Sequence, residues 1–262
     1  LTTIVAGANA TIYGYRPVSV RTLGRFFSET FPAAVWVSRR FIAAAAVLLF
    51  VPALAIGVWL ANSPEALDIA VPAEGQNALI QKAEGYYSSK PASEFSTQVL
   101  INNIQVSFLA FAAGILLCVG TAFFLILNAV NIGALGGLFV HAGKGGEFFG
   151  LILPHGLLEL TAIVIAGGAG FRLGWAIIAP GDRTRVDALA EEGRRSVVIV
   201  LGLMLCFVVA GLIEGFVTPS GLPTWGRIGF GIVVETLFLS WIVVRGREAE
   251  SRGLSGLFSE TP

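Results

Sequence analysis

The chain has 262 residues, 55% of them hydrophobic and only 13% charged, and its formal net charge is zero. Ordinary soluble domains are roughly 25% charged, so about half the usual charge is missing, and no basic field points toward nucleic acid. Several stretches of about 20 apolar residues can each cross ~30 Å of hydrocarbon, while the alternating ten-residue segments of a β-barrel are absent. The fold class is therefore all-α: a polytopic transmembrane helical bundle.

Taken in order, residues 1–40 read as a cytoplasmic N-terminal segment. LTTIVAGANATIYG has no strong period and reads as the tail of a helix, and because residue 1 is Leu we expect the native chain to continue upstream. No cleavable signal peptide is evident. After Pro17, Val20, Leu23, Phe27 and Phe31 fall at helical spacing with Arg21, Arg25 and Glu29 interleaved. This is the pattern of an amphipathic helix lying in the headgroup plane. Arg39 and Arg40 mark the cytoplasmic edge of a first span, Phe41 to Ala61, with Pro52 inside it.

Residues 62–100 form the one long hydrophilic connection, acidic in balance and expected to be extracytoplasmic with short surface helices. A second span is predicted from near Ile101 to about Leu127, with Asn102, Asn103 and Gln105 at its outer end. A third, short and glycine-rich, runs from Asn128 to Gly143, as a tilted span or a re-entrant hairpin. The fourth is Phe148 to Arg172, expected to end in a glycine run, with LGWAIIAP lying along the surface. A cytoplasmic loop at 180–195, a fifth span Val197–Val217, a sixth Ile228–Val244 and a frayed cytoplasmic tail 245–262 complete the chain. The six-span transmembrane domain is thus 41–244.

Six crossings put both termini on one side, which holds Arg16, Arg21, Arg25, Arg39, Arg40, Arg183, Arg185, Arg194, Arg195, Arg245, Arg247 and Arg252. The opposite side holds Lys82, Lys90, Lys144 and Arg227. Twelve against four sets the cytoplasmic side by the positive-inside rule. Tryptophans 36, 59, 175, 225 and 241 fall mostly near the predicted membrane edges.

Ionisable residues at membrane depth are costly and face protein or water. His155 and Glu159 stand one helical turn apart on one face, and Pro154 leaves a backbone carbonyl one turn earlier without its donor. Pro154, Gly156, Gly167 and Gly168 are expected to break the helix backbone there. With Glu214, Glu235, Arg172 and Asn131 these residues make a candidate intramembrane polar network. Three readings are open, ranked in this order: a hydrogen-bonded and ion-paired network that fixes the bundle, a proton or ion relay, and metal or hydrolytic chemistry. A single intramembrane histidine is thin for zinc. No nucleophile elbow, HExxH or P-loop is present, so no catalytic residue, metal site or cofactor is assigned. Glu214 sits in a GxxxG spacing with Gly211 and Gly215 and could reach water at the outer end of its span. Cys118 and Cys206 read as packing residues.

The runs NNIQVSFLAFAAGILLCVGTAFFLILNAVNIGALGG and LILPHGLLELTAIVIAGGAGFRLGWAIIAPG, with FFSETFPAAVWVSRRF ahead of the first span, resemble the stage II sporulation protein M family of integral membrane proteins over about residues 15–245. The resemblance implies a bacterial cytoplasmic-membrane protein. The family's sporulation member acts with peptidoglycan-degrading partners as their membrane anchor and organiser. The family offers no catalytic residues to carry over. The expectation is a non-enzymatic scaffold or regulator of a cell-envelope assembly, contacting membrane lipid and protein partners. A homodimer is one arrangement open to it. The rivals are a transporter or permease-like subunit with a buried His/Glu path and, more weakly, an intramembrane hydrolase.

Overall fold

The computed structural model describes residues 20–72, 75–81 and 92–258, with side chains in the last stretch described from Ile101 onward. The expected N-terminal helix tail, Lys82, Lys90 and the last four residues lie outside the described residues. The described chain is helical, without a strand among its residues. Its helices are α1 (Val20–Arg25), α2 (Phe31–Val37), α3 (Arg39–Asn62), α4 (Pro64–Ala70), α5 (Ala92–Ala112), α6 (Val119–His141), α7 (Gly145–Ile178), α8 (Arg185–Phe216) and α9 (Thr224–Ser251). Five of them, α3 and α6 to α9, are long and apolar enough to cross a membrane. Helix α5 shares with the turn after it a shorter apolar stretch, Ile101–Ile115.

Helix α7 is the axis of the bundle and packs on each of the other five long helices. It is also the most deeply buried of the five apolar spans. The direction of each neighbour follows from which residues meet. Ala53 and Gly57 of α3 abut Gly133 and Gly137 of α6 in the same order, so these two helices run parallel. Small residues one turn apart let the two backbones close up, the usual basis of helix association in lipid, where apolar burial gives no driving force. Because α3 and α6 run the same way, the intervening α5 traverses in the opposite direction.

The boundary between the second and third spans differs from the sequence expectation. Helix α5 begins at Ala92 and passes through a 3-10 turn at Ala113–Ile115. The chain then reverses at Leu117 and Cys118, whose φ values are 55° and 71°. Left-handed backbone costs an L-residue roughly 1–2 kcal/mol, and tertiary bonds hold it here. Thr121 Oγ1 donates to Ala110 O at 2.7 Å, and Cys118 Sγ contacts Phe171 O at 3.3 Å. The reversal is invisible to hydropathy because both sides of it are equally apolar. In consequence α6 is a full helix of 23 residues rather than a short re-entrant piece, and Asn102, Asn103 and Gln105 lie in the middle of helix α5 rather than at a helix end.

Two further expectations are corrected. Helix α7 runs unbroken over 34 residues through Pro154, Gly156, Gly167 and Gly168 and includes LGWAII. The glycines serve as approach points: the backbone of Ile42 lies against Gly168 and the Leu125 side chain against Gly167. The polar tail is not frayed over its described part. Helix α9 continues to Ser251, and the chain then folds back along the arginine-rich end.

There Arg195 Nε donates to Ser255 O at 2.8 Å, Phe258 stacks on Phe26 at 5.8 Å, and Gly256, at φ 82°, lies against the Ala34 backbone. Any side chain at position 256 would be both strained and obstructed.

The amphipathic N-terminal helix is only half interfacial. Val20 and Leu23 stay exposed. A π-helical turn at Phe26–Thr30 then redirects the chain, and Phe31 is fully buried against Gly202 of α8 and Trp241 of α9. Deleting residues 253–262 removes the Phe258 and Gly256 contacts and should loosen α1 and α2 on the bundle, although Phe31 stays anchored between α8 and α9. Hydrogen exchange over residues 20–37 should rise at least about tenfold, and unchanged protection would show that the tail is not what clamps them.

Beyond the other end, Ser63 caps α4 by accepting from Ala66 N at 3.2 Å. Ala66, Leu67 and Ile80 pack over Leu60, Leu138, Phe139 and Phe148. This part of the hydrophilic connection is a lid on the bundle, with short helices as the sequence predicts.

Candidate functional site: an intramembrane histidine and glutamate core

Depth can be read along α7. Phe148 meets Phe139 near the His141 end of α6, with ring centroids 4.9 Å apart, and Gly168 meets Ile42 near the Arg39 end of α3. Glu159 lies about midway between these points, and His155 one turn away toward the His141 end. Both are buried, at 4% and 3% exposure, and Glu214 of α8 is at 2%.

His155 Nδ1 pairs with Glu214 Oε2, while its Nε2 lies 4.0 Å from Glu159 Oε2. Asn103 of α5 donates to Glu159 Oε2 at 2.7 Å, and the hydroxyl of Thr218 donates to Glu214 at 2.7 Å. Three helices thus converge on one imidazole and two carboxylates. Glu159 Oε1 is buried without a hydrogen-bond partner. Glu214 does not reach water from the end of its span; Thr218 and His155 enclose it.

Glu235 occupies a separate position on α9, accepting from Thr161 Oγ1 at 2.7 Å. It is half-buried, and its Oε2 has no partner. The approach of α9 to α7 depends on Gly231, which faces the Leu153 and Pro154 carbonyls with no room for a Cβ. Pro154 therefore contributes a docking surface for α9 rather than an interruption of α7.

Arg172 does not join His155. It reaches Glu192 with Nε at 2.5 Å and Nη2 at 3.2 Å, and donates from Nη1 to Val37 O at 2.7 Å. Arg195 also pairs with Glu192 and with Glu191 at 3.1 Å. This second cluster ties α7, α8, the end of α2 and the C-terminal turn together at the arginine-rich end. In the loop beside it, Arg183 donates to Glu191 at 2.7 Å, and that bond raises the Arg183 guanidinium further above its ordinary pKa. Asn131 belongs to neither cluster: it is exposed on the outer surface of α6.

Sequence reasoning missed Asn103, Thr161, Thr218, Glu192 and Arg195 as site residues. Asn103 was displaced by the misplaced span boundary. Thr161 lies two residues beyond Glu159 and so on the opposite side of α7, where no spacing from Glu159 points to it. No three-residue group of His, Cys, Asp and Glu suited to a metal occurs among the described residues.

These features define a polytopic helical membrane protein whose buried polar core links three spans. The family described as stage II sporulation protein M matches residues 46–219, from within α3 to just past α8, and the chain belongs to that family. Two curated proteins of Methanocaldococcus jannaschii, each named only as uncharacterized (MJ0793 and MJ0706), are similar. The first is 31% identical over 124 residues, 47% of this chain and 70% of the relative. The second is 31% identical over 123 residues, 45% of this chain and 52% of the relative. No solved structure matches the chain.

Proposed function

We propose that the protein is a non-enzymatic membrane scaffold or regulator that presents docking faces for a cell-envelope assembly. One observation carries this reading: the two acids around His155, Glu159 and Glu214, are enclosed and bonded to neighbouring helices, at 4% and 2% exposure. Groups that line a transport path must reach water from at least one side; these face one another and Asn103. Both ends of the bundle are built up, by α4 and its neighbours at one and by α1, α2 and the C-terminal turn at the other. The arginine count supports a cytoplasmic position for the second of these, with both termini on that side. The family resemblance is the support for a bacterial cytoplasmic membrane.

The transport reading is favoured by the unpartnered Oε1 of Glu159 and by half-buried Glu235, whose Oε2 is also unpartnered, and the test is aimed at the deeper of the two. In sealed proteoliposomes bearing a proton or sodium gradient, the protein should give no flux above empty vesicles. A flux that Glu159→Gln abolishes, in a variant with unchanged gel-filtration behaviour, would replace the scaffold with a transporter.

A further inference from the structure

Three side-chain carboxamides lie exposed on the outward surface of the α5–α6 hairpin: Asn102, Gln105 and Asn131. Their depth follows from the packing. Asn103, next to Asn102, bonds Glu159 at mid-bilayer. Thr121 of α6 lies against Ala110 of α5. Counting away from that contact along the two antiparallel helices, Asn102 and Asn131 both arrive about two to three turns up, at nearly the same height. None of the three carboxamides has a hydrogen-bond partner among the described residues. Asn128 of α6, by contrast, turns back to its own helix, donating to Phe124 O at 2.8 Å.

An amide facing hydrocarbon leaves two donors and an acceptor unmet. It is a strong adhesive only if another polar group arrives at the same depth. A second copy of this chain meets that condition without further assumption. Copies insert with the same orientation, so a twofold axis along the membrane normal brings each residue beside its counterpart at equal height. A carboxamide is self-complementary, donating from nitrogen and accepting at oxygen, and no net charge is brought together. Leu109 and Leu127, exposed beside the amides, would supply the apolar packing around them.

We propose that the outward face of the α5–α6 hairpin, centred on Asn102, Gln105 and Asn131, is the surface through which two copies of this chain pair within the membrane. The inference is independent of the scaffold reading, since either a scaffold or a transporter could be dimeric. Photobleaching steps of the labelled full chain would be counted in lipid vesicles over a range of protein-to-lipid ratios. The wild-type chain should show two steps, and Asn102→Leu/Gln105→Leu/Asn131→Leu should weaken pairing by about tenfold or more, the loss of one to two interhelical hydrogen bonds. These leucines face lipid, so folding is expected to survive.

A second measurement does not depend on that. In a Cys118→Ser/Cys206→Ala background, Asn131→Cys should form an intermolecular disulfide in native membranes, whereas Leu237→Cys on α9 should not. A monomeric wild-type chain at every density overturns the proposal. So does a dimer indifferent to the triple substitution, or cross-linking through Leu237→Cys but not through Asn131→Cys.

Discussion

Replacing His155 with leucine should lower the stability of the folded bundle by about 3–5 kcal/mol, the range expected when one partner of a buried ionic group is removed. The substitution leaves Glu159 and Glu214 facing an apolar side chain at mid-membrane. Asn103 and Thr218 each contribute one hydrogen bond, too little to hold two carboxylates out of water. The double variant His155→Leu/Glu214→Leu should recover most of the loss, because it removes both members of the tightest pair and fills the space with apolar volume. The two single variants and the double form a thermodynamic cycle, read by denaturant titration in mixed micelles. A His155→Leu chain within about 1 kcal/mol of wild type would mean that the imidazole does not hold the two glutamates in the folded bundle.

Gly170→Val is expected to be about as damaging, for a reason with no electrostatics in it. A Cβ at Gly170 would meet Ala110 O at 2.6 Å and Phe111 O at 3.0 Å. These are backbone atoms of the neighbouring helix, which cannot rotate away as a side chain can. Gly170 in turn lies against Gly114 of the 3-10 turn that follows α5, so the end of that segment and α7 are in backbone contact. Overpacking typically costs 1–3 kcal/mol, and here the displacement would also pull Asn103 from Glu159, so a loss of about 3 kcal/mol or more is expected. Gly229→Ala is the contrasting case. It sits in α9 with nothing within 4 Å of the added Cβ, and it should stabilise by roughly 0.5–1 kcal/mol through the ordinary helix preference. Equal effects at the two positions would show that helix propensity, not close approach, sets the glycine requirement.

These predictions rest on contacts that the sequence announced unevenly. The pairing of His155 with Glu159 was legible because both lie on one helix and their spacing alone places them on one face. Glu214 was legible as an intramembrane acid but not as the partner of His155. That depends on how α8 packs against α7, and no local pattern encodes an approach between residues so far apart in the chain. Arg172 shows the converse error. It lies on the same helix as His155 and reads as part of one network, yet it is several turns further along and is held by Glu192 and the Val37 carbonyl. The Leu117–Cys118 reversal was hidden because hydropathy cannot distinguish an apolar turn from an apolar helix. Missing it moved Asn103 to the membrane edge and concealed its bond to Glu159.

The sequence by itself determined that this is a membrane protein of about six helices, that its centre is the stretch around His155, and which family it belongs to. Those conclusions follow from length, hydropathy and residue order, which the bilayer constrains directly by admitting only long, internally bonded helices. Tertiary structure alone decided which polar groups meet, which glycines are contact points rather than breaks, and which amides remain turned outward. Such features depend on helix rotation and relative height. In lipid these are set by close packing and hydrogen bonding between helices, and neither has a one-dimensional signature.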